Sequence, residues 1–553
     1  MKKIILLAIF MATTANIIAQ DEMPTIDIVY KGTATVTIPE EIQDKVTYSI
    51  GSGGANVSII STTTDTEYAY NVSGAATNGS LTITGAYKLT LRLNGIKLTS
   101  QSGAAIDIEC GKRIAVELVD GTTNTLVDRA GGAQKAAFYF KGHAEFQGGG
   151  TLNVTGKTKH AIAAKEYIEL KEDLGTINIL GAVSDGFHCG NGTYGKDYFE
   201  MKGGVVNIQD VGSDCVDSDD FGSIRIKGGI ISANVSTDDT DGLKADSIVS
   251  VSGGTVNLNV SGVKSNGIKA SYRVTVKGGT INAVLTGDGS KAIKANKNTT
   301  KLVNNGGFFN LKDGNVEIYA LGDNYIVNDD TTKCMGCSVD STMVQSGGSM
   351  IIYAYGSDPR GYNVKGDETH EEGTWKVLKA PWKHNPYDYQ YDMSSFAVIQ
   401  LRGNMVNDYS NMTLGAFNGD ECVGVALFQD NTYGILRIRS NSTDAEEISF
   451  RMYDYNTDKE YALRPTATST SSITSVQFKS NDAVGTPSNP VVLSYLIGDV
   501  NIDGTVNISD ASKLISIVLG KDKDFFNGNA DIDDNVKLNI SDVSSLINIL
   551  LGK

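Results

Sequence analysis

Twelve residues near the C-terminus, DVNIDGTVNISD from Asp499 to Asp510, set oxygen-bearing side chains at their first, third, fifth, ninth and twelfth places: Asp499, Asn501, Asp503, Asn507 and Asp510. Thr505, in seventh place, would add its backbone carbonyl, and Gly504 permits the sharp turn before it. Hard oxygen donors in this order suit Ca2+, which takes six to eight of them. A second copy starts 32 residues later at Asp531 and supplies Asp531, Asp533, Asn535, the Lys537 carbonyl, Asn539 and Asp542. It carries Val536 where glycine is expected, which weakens the expectation for that loop. Each loop leads into a helical pattern, ASKLISIVLG and then VSSLINILLG.

A second constellation lies mid-chain. Acids gather at Asp185, Asp214, Asp217, Asp219, Asp220, Asp238, Asp239, Asp241 and Asp246. On successive strands, about 4.8 Å apart, like charges would raise one another's pKa unless a cation intervened. Calcium at Asp185, Asp214, Asp217, Asp219, Asp220 and Asp241 is one reading; solvated turn aspartates are the other. Beside them Lys244, Lys269 and Lys294 recur at intervals of 25 residues, able to grip sugar carboxylates or to pair with the neighbouring acids.

These residues need elements to position them, and the chain supplies a repeat. The words GGIISANV, GGTVNLNV and GGTINAVL start at Gly228, Gly253 and Gly278, and related words precede them from Gly148. In step run HAIAAK from His160, DGFHCG from Asp185, DCVDSD from Asp214, DGLKAD from Asp241, NGIKAS from Asn266 and KAIKAN from Lys291. Short alternating strands between Gly, Asn and Asp turns, repeated about every 25 residues, predict the stacked coils of a parallel β-solenoid. Alternation sends Ile162, Phe187, Val216, Leu243, Ile268 and Ile293 inward, with Ala164, Cys189, Ser218, Ala245, Ala270 and Ala295 two places on. The position between them, Ala163, His188, Asp217, Lys244, Lys269 and Lys294, then points outward.

Around this stack the chain divides into a secretory signal at 1–20, the repeat region at 21–360, a linker or cap at 361–383, a small antiparallel β-sandwich at 384–465, a Ser/Thr-rich linker at 466–496 and the calcium-loop region at 497–553. The signal predicts an exported protein, extracellular or at the cell surface, and no later apolar run is long enough to span a bilayer. Glycine is abundant, 61 residues against 8 prolines, which excludes collagen and proline-rich disorder. A net charge of −16 with no Lys/Arg-rich run argues against a nucleic-acid partner. Six cysteines are too few for a disulfide framework, and Cys334 with Cys337 reads as a local disulfide or two free thiols. The aromatics Trp375, Trp382, Tyr387, Tyr389 and Tyr391 read as core or cap packing.

Two resemblances add to this. Residues 497–553 resemble a type I dockerin, a paired loop-helix calcium module that docks into cohesin domains. The resemblance implies cohesin contacts at Ile508, Ser509, Ile540 and Ser541, where Ile replaces the usual small hydroxylated residue. From Tyr30 to Asn296, GSLTITG, LNGIKLTSQSGAAI, FYFKGHAEFQGGGTLNVTG, NGIKAS and the GGT(V/I)N words resemble secreted bacterial carbohydrate-binding β-helix proteins, similar in fold to pectate lyases. That resemblance implies a right-handed parallel β-helix with bound calcium that attaches to cellulose and acidic plant polysaccharides.

The leading expectation is a noncatalytic, secreted binder of plant cell-wall polysaccharide that uses calcium and a face bearing His188, Lys244, Lys269 and Lys294, attached to a cohesin-like partner. The alternative is a calcium-dependent pectate lyase with Lys244 or Lys269 as base; a structural surface protein or adhesin is the third.

Overall fold

In the repeat region, β-branched and aromatic residues alternate with Asn, Ser and Thr, so each short segment has one face to bury and one to leave in water. A computed structural model describes residues 23–190, 196–219, 221–297, 305–356, 359–429, 431–468 and 472–553. Strands make up 54% of the chain, as a mainly β protein requires.

Two large sheets take up the repeats. In a sheet of 13 strands, Asp241–Ala245, Asn266–Ala270 and Lys291–Ala295 pair in parallel with Leu243, Ile268 and Ile293 level with one another. A displacement of 25 in sequence is therefore a step of one strand in space. The column Ile162, Phe187, Val216, Leu243, Ile268 and Ile293 is fully buried, as the alternation predicts. Burying each large aliphatic side chain stabilises by about 1.5–3 kcal/mol, so a charge at Ile268, in mid-column, would break the stack locally.

The second sheet has 19 strands. From Leu89–Thr99 one row of parallel pairs runs through Arg113–Leu118, His143–Gln147, Ile168–Leu170, Tyr198–Met201 and Ser223–Ile226 to Ile248–Val260. A second row returns through Ile230–Val235, Val205–Ile208, Thr176–Ala182, Thr151–Gly156 and Thr123–Val127 to Leu89–Thr99. The hydrogen-bonded path thus closes as a 12-strand parallel β-barrel, and this corrects the expected right-handed β-helix solenoid. The cause lies at the glycine corners. Gly254 has φ +73, and a Cβ there would sit 2.5 Å from the Gly229 carbonyl oxygen. The chain bends at this corner without ending the strand, so Ile248–Val260 belongs to both rows.

The parallel pairing continues to Glu368–Ala380, past the boundary expected near 360. From Tyr391 the chain forms a 10-stranded, largely antiparallel sheet whose strands Met412–Asn418, Glu421–Val425 and Tyr433–Ser440 bury side chains in one common core, and Gln477–Lys479, Ala483–Val484 and Val491–Ser494 arise within the segment read as a linker. The helices are short: α1 (Ile508–Val518), α2 (Asn527–Ala530) and α3 (Ile540–Leu550). They correct the expectation of an α-helical dockerin. Instead of standing free, this part is fastened to the strand Lys459–Pro465: Asn529 Oδ1 accepts from the Ala462 N–H at 2.8 Å, and Lys459 Nζ lies 2.6 Å from Asp531. No helix among the described residues is long and apolar enough to cross a membrane. The expected signal at 1–20 lies outside the described residues.

Candidate functional site

The 13-stranded sheet carries two neighbouring columns of side chains that are polar at every position but Ala163. One is His160, Asp185, Asp214, Asp241, Asn266 and Lys291, the first residue of each repeated word; the other is Ala163, His188, Asp217, Lys244, Lys269 and Lys294, the fourth. The second column is more recessed than simple alternation predicts: Ala163 and Asp217 are buried and the rest half-buried. The first column crowds against it, because its carboxylates brace the next strand. Asp185 accepts from the Asp214 N–H at 3.2 Å, Asp214 from the Asp241 N–H at 2.8 Å, and Asp241 from Asn266 Nδ2 at 2.6 Å.

Charge drifts along the columns. At one end Asp185 Oδ2 lies 2.9 Å from His160 Nδ1 and 3.1 Å from His188 Nδ1, whose rings stack at 4.3 Å. Burial alone would lower His188, but Asp185 and Asp217 outweigh it and hold the imidazolium up to about 9. Burial would raise Asp185, yet the two imidazoles keep it far below the usual carboxylate range. His160, only 1% exposed, is pushed down by burial. In the middle, Lys244 Nζ lies 2.9 Å from Asp214 and 3.1 Å from Asp217. Burial and the Asp241 charge push the Asp214 carboxyl up, while Lys244 is raised against its own burial by Asp214 and Asp217, so the shared proton stays on the amine. Lys269 pairs with Asp241 at 2.9 Å.

At the far end no aspartate stands in either column, and the nearest acids act on Lys294 only at a distance, Asp340 being paired with Lys365. Lys294 stands level with Lys269 on one side and Ser338 on the other, and has no carboxylate partner among the described residues. Lys291, 8% exposed, donates to the Gly289 carbonyl at 2.8 Å. Burial and then Lys294 push it down to about 8, while burial and then Lys269 lower Lys294. Desolvated, unneutralised ammonium groups suit an external anion.

The remaining mid-chain acids do other work. Asp219 lies 4.0 Å from Lys244, Asp239 pairs with Lys264 at 2.9 Å, and Asp238 accepts from the Val263 N–H at 2.8 Å. Asp220 lies outside the described residues. Asp185, Asp214 and Asp217 can present oxygens within 4.8 Å of one another, but ammonium and imidazolium groups already face that space.

In the first C-terminal loop, Asp499 accepts from the N–H groups of Asp503 and Gly504 at 3.0 and 2.9 Å. Asp510 accepts from those of Val500, Asn501 and Asn507 at 2.8, 3.0 and 2.9 Å. Asn501 bridges Asp503 and Ser509, Asn507 caps α1, and Thr505 donates to Asp503. This all-oxygen set, curled by Gly504 at φ +89, has the donor chemistry of a hard divalent cation, but Arg464 stands 3.9 Å from Asp499 and donates to the Ile502 carbonyl, so its guanidinium competes with a metal there. The second loop gathers Asp531, Asp533 and Asp542, with Asn535 and Ser541 bonded to Asp533 and Asn539 capping α3 while donating to the Lys537 carbonyl. Val536 holds φ +70 there, and Lys459 stands against Asp531, where its ammonium competes with a metal. Ile508 and Ile540 are exposed at the starts of α1 and α3.

His160 and Lys291 join the site through the first position of the repeated words, a position the expected site residues include only where it holds Asp. Cys334 and Cys337 are buried free thiols.

Residues 53–315 match the model of a family described as "Carbohydrate-binding domain-containing protein". Both polar columns, His160 to Lys294, lie inside that match. A solved structure of the polysaccharide lyase-like protein from C. thermocellum, as a gadolinium derivative, is similar over 47% of this chain and 94% of its own, at 19% identity and a TM-score of 0.35. No curated protein matches the chain.

Proposed function

We propose that the protein is a secreted, noncatalytic binder of plant cell-wall polysaccharide, and that the basic end of its polar columns takes the carboxylates of an acidic glycan such as pectate. One observation carries this reading: Lys244 and Lys269 are each neutralised by an aspartate, whereas Lys294 has no carboxylate partner among the described residues. Similarity of 53–315 to carbohydrate-binding domains supports the ligand class. A row of groups repeated at strand spacing suits a polymer. Lys244, held protonated between two carboxylates, and Lys269, paired with Asp241, are poorly placed to act as the base of an elimination.

Calcium is proposed for the Asp499–Asp510 loop, with Asp499, Asn501, Asp503 and Asp510 as side-chain donors, and more weakly for the Asp531–Asp542 loop. The exposed Ile508 and Ile540 would meet a protein partner, for which a cohesin domain is the first to try. Adding Ca2+ to chelator-treated protein should raise the melting temperature, and Asp510→Ala should abolish most of the gain; no shift on addition would count against the site.

The binding test is sedimentation with insoluble pectate, with absorbance of unsaturated product followed in parallel. The wild type should sediment without forming product, and Lys294→Ala should remain in the supernatant. Unsaturated product, or undiminished sedimentation of the variant, would overturn the proposal.

A further inference from the structure

A second row of groups lies on the other large sheet, the 19-stranded one, where a groove of about 840 Å³ runs between the parallel strands and the segment leading into the C-terminal sheet. Its floor is a ladder of amides. Asn178 donates to Asn153 at 2.8 Å, Asn207 to Asn178 at 2.9 Å, and Asn282 to Asn257 at 2.9 Å. A parallel column two residues on places Asn234, Asn259, Val284, Tyr319 and Tyr353 level with one another, and Asn259 donates to Asn234 at 3.0 Å. Each amide has two N–H groups and an oxygen with two lone pairs, so one ladder bond leaves donors and acceptors facing the groove at strand spacing.

The wall comes from outside the repeats. Tyr387 is 57% exposed, in contrast to Trp382, whose indole packs on Phe417 and donates to Glu460. Its ring stands edge-on to Tyr319, which stacks on Tyr353 at 4.5 Å. Asn385 accepts from the Tyr387 N–H at 3.2 Å and donates to Asp388 at 2.9 Å, while Asn441 holds the Asp388 carbonyl at 3.1 Å, so the backbone that carries the ring is tied down. Among the described residues no lysine or arginine lines the groove, and Asp388 is the one charged lining residue.

We infer that this groove binds a neutral polysaccharide chain, with Tyr387 as the platform on which a sugar ring stacks and the amide columns as partners for its hydroxyls. Repeated uncharged donors and acceptors match a polymer of hydroxyls, an exposed aromatic ring matches the apolar face of a sugar, and Asp388 would repel a uronate. This extends the polysaccharide-binding reading, but it uses other residues and another class of glycan.

Electrophoresis of the full chain through native gels tests it, with hydroxyethylcellulose, xyloglucan or galactomannan in one set and polygalacturonate in another. The wild type should be retarded by at least one neutral polymer. Tyr387→Ala should weaken that retardation at least tenfold and Asn259→Ala by a smaller factor, both leaving retardation by polygalacturonate unchanged; both side chains are exposed, so the variants should fold. Lys294→Ala should show the reverse pattern. Absence of retardation by all three neutral polymers, wild-type migration of both groove variants, or equal weakening in both sets of gels would overturn the inference. If only Lys294→Ala behaves as wild type in polygalacturonate, the lysine reading fails and the groove stands.

Discussion

The two ends of the polar columns occupy the same register on the same sheet, yet they treat charge in opposite ways. Around Asp185 every charge has a protein counter-charge: two imidazoles meet one carboxylate, and Lys244 lies between Asp214 and Asp217. Around Lys294 the column continues with a cation while the acids have given way to Asn266 and Lys291. A strand repeat fixes where side chains stand but leaves their charge free to vary. The acidic end therefore neutralises its own charge within the stack, and the basic end carries charge that the columns themselves do not neutralise.

The largest effect expected from breaking this contrast is at Asp185. Asp185→Asn removes the anion between His160 and His188 and should cost about 3–5 kcal/mol, as unpairing a buried charge does. Urea unfolding measures this, and the variant, where folded, should still bind pectate. At the other end Lys294→Glu should change stability little but weaken pectate binding about 100-fold, or about 2.7 kcal/mol, since a charge-assisted hydrogen bond becomes a repulsion. If Lys294→Glu unfolds the protein and Asp185→Asn does not, the assignment of the two ends is reversed.

The ends should also differ in the sign of their pH dependence. His188 is raised to about 9, so its contribution is complete below the unfolded value of about 6.5 and is lost as pH rises through 9. That contribution is at most about 3 kcal/mol. Lys291 is lowered to about 8; between pH 8 and its unfolded value of about 10.4 the unfolded chain binds more protons, so stability from this group rises with pH. His188→Gln should flatten the fall between pH 6.5 and 9, and Lys291→Met the rise above pH 8, in urea titrations at stepped pH. Pectate affinity should decline above pH 8 as Lys291 loses its charge, by a smaller factor than Lys294→Glu produces.

Much of this arrangement was legible in the sequence. The buried columns through Ile162 and Ala164 follow from two periods, two residues along a strand and about 25 between strands, and both are set by backbone geometry. The drift from Asp185 to Lys294 was visible too. What Lys244 touches was not: its partner Asp214 lies 30 residues earlier, and only the strand register shows that one repeat's lysine reaches the previous repeat's acid. Lys291 went unnoticed because it fills a position held by Asp in three of the repeated words. The closed ring was hidden because a Gly-Gly pair looks like a break in sequence, while Gly253 and Gly254 bend a strand that goes on pairing. The docking of the C-terminal loops was hidden because Lys459 and Arg464 lie in a different part of the chain from Asp531 and Asp499. Tyr387 looked like its neighbours Trp382 and Tyr389, and only its exposure separates it from them.

Calorimetric titration of a short oligogalacturonate into the full chain, with wild type and the double variant Lys291→Met/Lys294→Ala in parallel, addresses the central claim most directly. Binding to the wild type should be saturable and weaken as salt is raised, and the Kd of the double variant should be at least about 30-fold weaker, roughly 2 kcal/mol, with its melting temperature no lower than that of the wild type. An unchanged Kd in a folded double variant would contradict that claim.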